Sequence, residues 1–324
     1  MKILLPGGSG QVGAILARHL YAAGHDVTVL SRNPHAHPEQ LWRTLQWDGL
    51  TEGPWAKEID TTDAVIHLSG KSVNCRYNAA NRRAIIDSRV KPTLLLGHVI
   101  AASPTPPRIW MNASTSTFYR TAYDFPQDEF TGQLGNQPDA HEPNTWTFSI
   151  EVAEQWEAAL AAVPTPHTRK IRLRSSMVMS PDPGGVFSVF SNLVRFGLGG
   201  TQGDGKQFVS WIHDLDYCRA TDLLLAHPEL TDETAGVVNM TAPQPLPNRD
   251  FMRTLRRAWH QPIGLPAARW MLEIGTFFMR TESELVLKSR RTCPAVLLKH
   301  GFNFTFPTWA AAAPDLVARL KASH

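Results

Sequence analysis

The segment Gly7-Gly8-Ser9-Gly10-Gln11-Val12-Gly13 bears most directly on chemistry. Gly7, Gly10 and Gly13 stand three residues apart. In such a turn the first glycine permits a tight bend, and the second lets backbone N–H groups approach a pyrophosphate. The third lets a helix pack closely on a strand. A helix opening at Gln11 presents orphan N–H donors and a partial positive charge to the phosphates. Eighteen residues past Gly13 comes Ser31-Arg32. An acidic residue there would accept hydrogen bonds from a ribose 2′-hydroxyl, whereas a hydroxyl and a guanidinium suit a 2′-phosphate. The chemistry expected is dinucleotide binding, with NADP favoured over NAD.

These residues need elements to hold them. Ile3, Leu4 and Leu5 suit a strand buried on both faces. Val12, Ile15, Leu16, His19, Leu20 and Ala23 recur at helical spacing, Gly24 supplies the stop, and Val27 to Leu30 is a second strand. Further short strands are expected within Trp42–Trp47, at Ala64–Leu68, at Ile109–Met111 and at Ile171–Arg174. Long helices are expected over about Arg76–Ala102 and Thr147–Ala162, and a shorter one over Leu215–Ala226. Strands alternating with helices give an α/β fold, a Rossmann-type doubly wound parallel sheet. Pro- and Gly-rich sequence from Pro181 to Gly205 breaks the rhythm, and after Met240 the pattern is mostly helical. The expected division is a nucleotide-binding domain over residues 1–174, to which 210–240 returns, and a smaller, mostly helical substrate lobe over 175–209 and 241–324.

Composition narrows the function classes. The chain is 43% hydrophobic and 19% charged, with net charge +3 from 32 basic and 29 acidic residues. That balance excludes the footprint of a nucleic-acid-binding protein. Cys75, Cys218 and Cys293 form no Cys-x-x-Cys pair, so neither a disulfide framework nor a thiolate zinc site is expected. His35-x-His37 lacks the further ligands a metal needs. No 18-residue uncharged apolar run and no signal peptide are found. A cytoplasmic enzyme acting on a small molecule, as monomer or homodimer and without a membrane partner, is the expectation.

The glycine spacing, Ser31-Arg32, His67-Leu68-Ser69-Gly70 and Asp87-Ser88-Arg89-Val90 together resemble the extended short-chain dehydrogenases/reductases. Gly197-Leu198-Gly199-Gly200, Phe208 to His213, Val238 to Pro243 and Arg291 to Thr308 bring the chain closer to an atypical branch, the epimerase family proteins, with that branch's own C-terminal domain. The resemblance implies NADP held by the glycine turn, Ser31, Arg32, Leu68, Ser69, Gly70 and Arg89, with Val178 against the nicotinamide end.

It also exposes a departure. The superfamily uses a tyrosine and a lysine four residues later, yet none of the five tyrosines here has lysine at that spacing. The dyad positions match Phe148 and Val152, which with Trp156 form an i, i+4, i+8 stripe typical of a core face. Thr115, or Ser114 if the register slips by one, and Tyr119 are then the expected catalytic hydroxyls, at the carboxyl edge of the fifth strand where open α/β sheets bind ligands. His213 is a further candidate for the substrate cleft, and Asp214 is the expected cap of the helix after it. Gly197–Lys206 is expected to be a mobile closing loop. Lys288, Arg290 and Arg291 form a charge run that is either solvated or bound to an anionic substrate. The function expected is an NADP-binding oxidoreductase acting on an unidentified small carbonyl or alcohol. A non-catalytic NADP-binding sensor and, less favoured, a nucleotide-sugar epimerase are the alternatives.

Overall fold

The computed structural model describes residues 1–34, 40–137, 146–268, 271 and 284–322, so His35 and His37 lie outside the described residues. Strand β1 (Lys2–Pro6) leads through the glycine turn into α1 (Gln11–Ala22), whose Gly13, Ile15, Leu16, Ala17 and Leu20 are buried. Gly24, at φ +85°, lets the chain reverse into β2 (Asp26–Ser31). Then come β3 (Arg43–Gln46), a 3-10 segment (Pro54–Thr61) and β4 (Ala64–His67). Helix α2 (Ala79–Ala102) begins three residues later than the periodicity suggests, because the Asn78 side chain accepts from Asn81 N and caps it there. Strand β5 (Ile109–Thr115), α3 (Thr147–Ala162) and β6 (Arg169–Ser175) complete the expected run.

The chain continues through β7 (Met177–Met179), α4 (Val186–Arg195), β8 (Phe208–Val209), β9 (Trp211–His213) and α5 (Asp214–Ala226). Next are β10 (Val237–Met240), β11 (Leu246–Pro247) and α6 (Asn248–Ala258). Three further helices are α7 (Glu284–Leu287), α8 (Ala295–Lys299) and α9 (Trp309–Ala322). The main sheet has seven strands in the order β10-β6-β5-β4-β1-β2-β3, every described pairing parallel. Its order reverses at β1, between β4 and β2, which is the crevice where such sheets bind dinucleotides. Strand β10 brings residues 237–240 back to the sheet beside β6.

Besides a core that includes Leu4, Val65, Leu96 and Trp110, two larger cores among the described residues hold this together. One joins β1, β2, α1, β9 and α5 through Leu5, Leu16, Val29, Ile212 and Leu224. Each such side chain stabilises the fold by about 1.5–3 kcal/mol when fully buried. The other belongs to the C-terminal lobe: Phe251 stacks on Trp309 at 4.3 Å between ring centroids, and Trp211 meets Trp309 edge-on at 5.0 Å. A strap, residues 288–293, then runs back beside the chain that leaves β5. Ala122 N donates to Ser289 O, Gln127 N to Arg291 O and Cys293 N to Gln127 O.

Candidate cofactor and active site

At the glycine turn each glycine has its own reason. Gly7 adopts φ +80°, and a Cβ there would lie 2.6 Å from Ser69 N, so the turn after β1 and the turn after β4 touch backbone to backbone. Leu68 N donates to Pro6 O at 2.8 Å and fixes that contact. A Cβ on Gly13 would lie 2.5 Å from Gly8 Cα, so α1 packs directly on the turn. A Cβ on Gly10 would come no nearer than 3.5 Å to Gly7 O, which leaves its outer side open. Helix α1 has no side-chain cap and no acidic residue in its first turn. Its first N–H groups are therefore an anion site of the kind a pyrophosphate fills. Gln11 contributes main chain only: its Nε2 donates to Asp182 O at 3.0 Å.

At the end of β2, Ser31 is buried and its Oγ donates to Ser9 Oγ at 3.0 Å, joining the strand end to the glycine turn. Arg32 next to it is exposed and makes no hydrogen bond or ion pair with any described residue. No carboxylate follows β2 through Pro34, where a ribose 2′-hydroxyl would need one.

The other side of the crevice is held from α2. Ser88 Oγ accepts from Lys71 N at 2.8 Å while Arg89 Nη1 donates to Lys71 O at 3.1 Å, so the helix grips the turn that follows Gly70 at both faces of one residue. A Cβ on Gly70 would lie 3.1 Å from the Arg89 guanidinium carbon. Arg89 sits over the Trp156 ring at 5.0 Å and forms no ion pair with a described residue; burial pulls its pKa down to about 10. A guanidinium held this way suits an anionic partner. Val178 on β7 is buried against Ile212, its register partner on β9. The residues present thus fit a dinucleotide with a 2′-phosphate.

The carboxyl edge of β5 separates the three expected hydroxyls. Ser114 is not available: it is buried, and its Oγ donates to Glu157 Oε1 at 2.6 Å. Glu157 is in turn held by Arg174 through Nε at 2.8 Å and Nη2 at 2.9 Å, a buried two-pronged pair whose remaining valence Ser114 fills. Tyr119 is engaged as well. Its ring is 3% exposed, its hydroxyl donates to Asn239 Oδ1 at 3.1 Å, and burial pushes its pKa up to about 12. The phenol proton is thus engaged with Asn239. Thr115 alone keeps the expected disposition. It is half-buried, its Oγ1 accepts from Thr117 N at 3.1 Å, and its own proton has no acceptor among the described residues.

Residues 3–240 match the NAD dependent epimerase/dehydratase family, and residues 267–316 match a domain of unknown function, DUF1731. The chain belongs to the NAD dependent epimerase/dehydratase family. It is 30% identical to the epimerase family protein SDR39U1 of Bos taurus, over 98% of this chain and 100% of that one. The epimerase family protein YfhF of Bacillus subtilis is 27% identical over 99% of both chains. The human SDR39U1, solved with NADPH, superposes with a TM-score of 0.82 at 27% identity, covering 98% of this chain and 99% of that one. The UDP-N-acetylglucosamine 4-epimerase of Bacillus cereus shares the fold, at TM-score 0.72 and 15% identity over 99% of both chains.

The α3 face that carries the positions matched to the dyad is apolar and buried. Phe148 and Val152 are buried with Ile85 of α2, and Phe148 meets Tyr77 edge-on at 4.8 Å between centroids. The stripe from Phe148 to Trp156 therefore packs on α2 and the segment before it, with Arg82 over Phe148 and Arg89 over Trp156. No proton donor stands on that face of α3. Tyr77 escaped the sequence reading because nothing local connects it to a helix seventy residues away.

Four other expectations change. His213 is the N-cap of α5, its Nδ1 accepting from Leu215 N at 3.1 Å, and it stacks on Phe306 at 3.9 Å. It lines a cleft of about 360 Å³ with His19, Cys218 and Asp315, between α1, α5 and α9, rather than the β5 edge. Asp214, expected as the cap, instead binds Arg319 through both oxygens at 2.8 Å, and its pKa falls well below the carboxylate range. The glycine-rich stretch is pinned: Gly200 N donates to Leu265 O, Gly203 N to Ala267 O, and Gln202 N to Asn248 Oδ1. Lys288 is not part of a solvated run; it is 1% exposed and its Nζ donates to Thr117 O at 3.3 Å.

Proposed function

We propose that the protein is an NADP-dependent oxidoreductase acting on a small carbonyl compound or alcohol. The observation that carries the reading is the end of β2, where Ser31 is locked to Ser9 and Arg32 stands exposed and unengaged with no acid beside them. The NADPH bound by the human relative supports it. When bound, the cofactor supplies a hydride. The backbone of Gly7, Gly8, Ser9, Gly10, Gln11, Val12 and Gly13 holds the pyrophosphate, Arg32 the 2′-phosphate, and Leu68, Ser69, Gly70 and Arg89 the ribose side. Val178 covers the nicotinamide end. Thr115 donates a hydrogen bond through its hydroxyl to the oxygen on which negative charge develops, and solvent supplies the proton that completes the reduction.

The acting unit in this reading is a monomer or homodimer in the cytoplasm. The three cysteines are free, and no described helix is long and apolar enough to cross a membrane. The test is loss of NADPH absorbance across a panel of quinones, aldehydes and ketones. Turnover that falls when Thr115→Val is introduced supports the reading, and turnover by no compound opposes it. One observation favours a second reading, a non-catalytic NADP-binding sensor: the dyad face of α3 is filled by Phe148 and Val152. Tight NADPH binding without turnover would select it.

A further inference from the structure

The segment after α7 reaches the residue that hydrogen-bonds the Thr115 hydroxyl. Lys288 Nζ donates to Thr117 O at 3.3 Å, and Arg290 Nε donates to Thr117 Oγ1 at 3.1 Å. Thr117 N in turn donates to Thr115 Oγ1 at 3.1 Å. Two cations from the C-terminal lobe thus grip a single residue whose N–H sets the direction of the Thr115 hydroxyl. That N–H occupies a lone pair of Oγ1 and leaves the Thr115 proton for another acceptor.

We propose that Lys288 and Arg290 are positioning residues for Thr115, acting on it from the C-terminal lobe through Thr117. The inference rests on the oxidoreductase reading and extends it to the matched domain of unknown function, residues 267–316, in which both side chains lie.

Three features support this. The turn Ser116–Phe118, which carries the N–H that the Thr115 hydroxyl accepts, is a single 3-10 turn with few bonds of its own. The cations are braced from behind: Arg290 N donates to Phe208 O at 2.9 Å, Ser210 Oγ donates to Arg290 O at 2.8 Å, and Ser289 Oγ donates to Ala122 O at 2.6 Å. Burying an ammonium is costly, so a lysine that is 1% exposed and directed at a backbone carbonyl is held by specific interactions. Their charge also favours an oxygen that gains negative charge beside Thr115, which fixed groups stabilise without reorganising during the reaction.

The test uses the full-length chain with NADPH and the carbonyl compound it reduces fastest. Lys288→Met should lower kcat about tenfold, with KM and NADPH affinity within about twofold, and Lys288→Arg should recover most of the loss. Because Lys288 acts through Thr115, the double variant Thr115→Val/Lys288→Met should be no more than about twofold slower than Thr115→Val alone. If Lys288→Met does not fold, Thr117→Val, which removes the anchor of Arg290 and no charge, carries the same comparison. An unchanged kcat in these variants, or losses that multiply in the double variant, would overturn the positioning role alone. An unmodified protein that reduces nothing in the panel would instead overturn the oxidoreductase reading, and the positioning role with it.

Discussion

The ring of Tyr77 meets the ring of Phe148 edge-on, 4.8 Å between centroids, on the face of α3 where the family's catalytic tyrosine and lysine would stand. The contact, with Ile85 and Val152 beside it, turns a catalytic face into an interior one. Phe148 is 2% exposed and Val152 is 6% exposed.

Restoring the dyad should therefore fail. In Phe148→Tyr/Val152→Lys the new ammonium would be buried beside Ile85, a loss of about 3 kcal/mol or more. Thermal unfolding should show a marked drop in Tm and no gain in reductase activity. A variant as stable as the parent, and newly active, would show that these positions face an open site.

The three hydroxyls near the β5 edge should separate by assay. Thr115→Val should lower turnover about tenfold or more with NADPH affinity nearly unchanged, since it removes a transition-state contact and, besides it, only the hydrogen bond from Thr117 N. Ser114→Ala and Tyr119→Phe should instead each cost about 1–3 kcal/mol of stability, because they strip partners from Glu157 and Asn239. Denaturant titration beside steady-state kinetics checks the split. Equal kinetic losses in all three variants would mean that the phenol or Ser114 reaches substrate.

Much of this was legible locally. The glycine turn, the strand ends at Ser31 and Leu68 and the long helices follow from residues within one βαβ unit, where spacing and strand position determine contacts. The fates of Ser114 and Lys288 do not. Ser114 is committed to a carboxylate 43 residues further on, and Lys288 to a carbonyl 171 residues before it. Such partners come from tertiary packing, which no window of sequence displays. Arg89 was suggested by resemblance alone; its grip on Lys71 and its place over Trp156 set it beside the turn that follows β4.

A pH dependence follows from Glu129, which receives Asn239 N and Ala295 N at 2.8 Å each. Burial pushes its pKa up to about 7, against an ordinary value near 4.5. Between about pH 4.5 and 7 the folded chain binds more protons at this site than the unfolded one, so its contribution to stability falls as pH rises through that window and levels off above it. Glu129→Gln should remove this slope. Tm measured from pH 5 to 8 should fall for the unmodified protein relative to the variant. Parallel curves would place Glu129 outside the titration.

The central claim is that this family member is built for NADP, and the most direct measurement is paired titration of NADPH and NADH by fluorescence, before and after Arg32→Ala. The unmodified protein should bind NADPH at least about tenfold more tightly, and the variant should lose about that factor for NADPH while its NADH affinity stays within about twofold. Equal affinities for the two cofactors in the unmodified protein, or a variant that weakens both alike, would contradict the account.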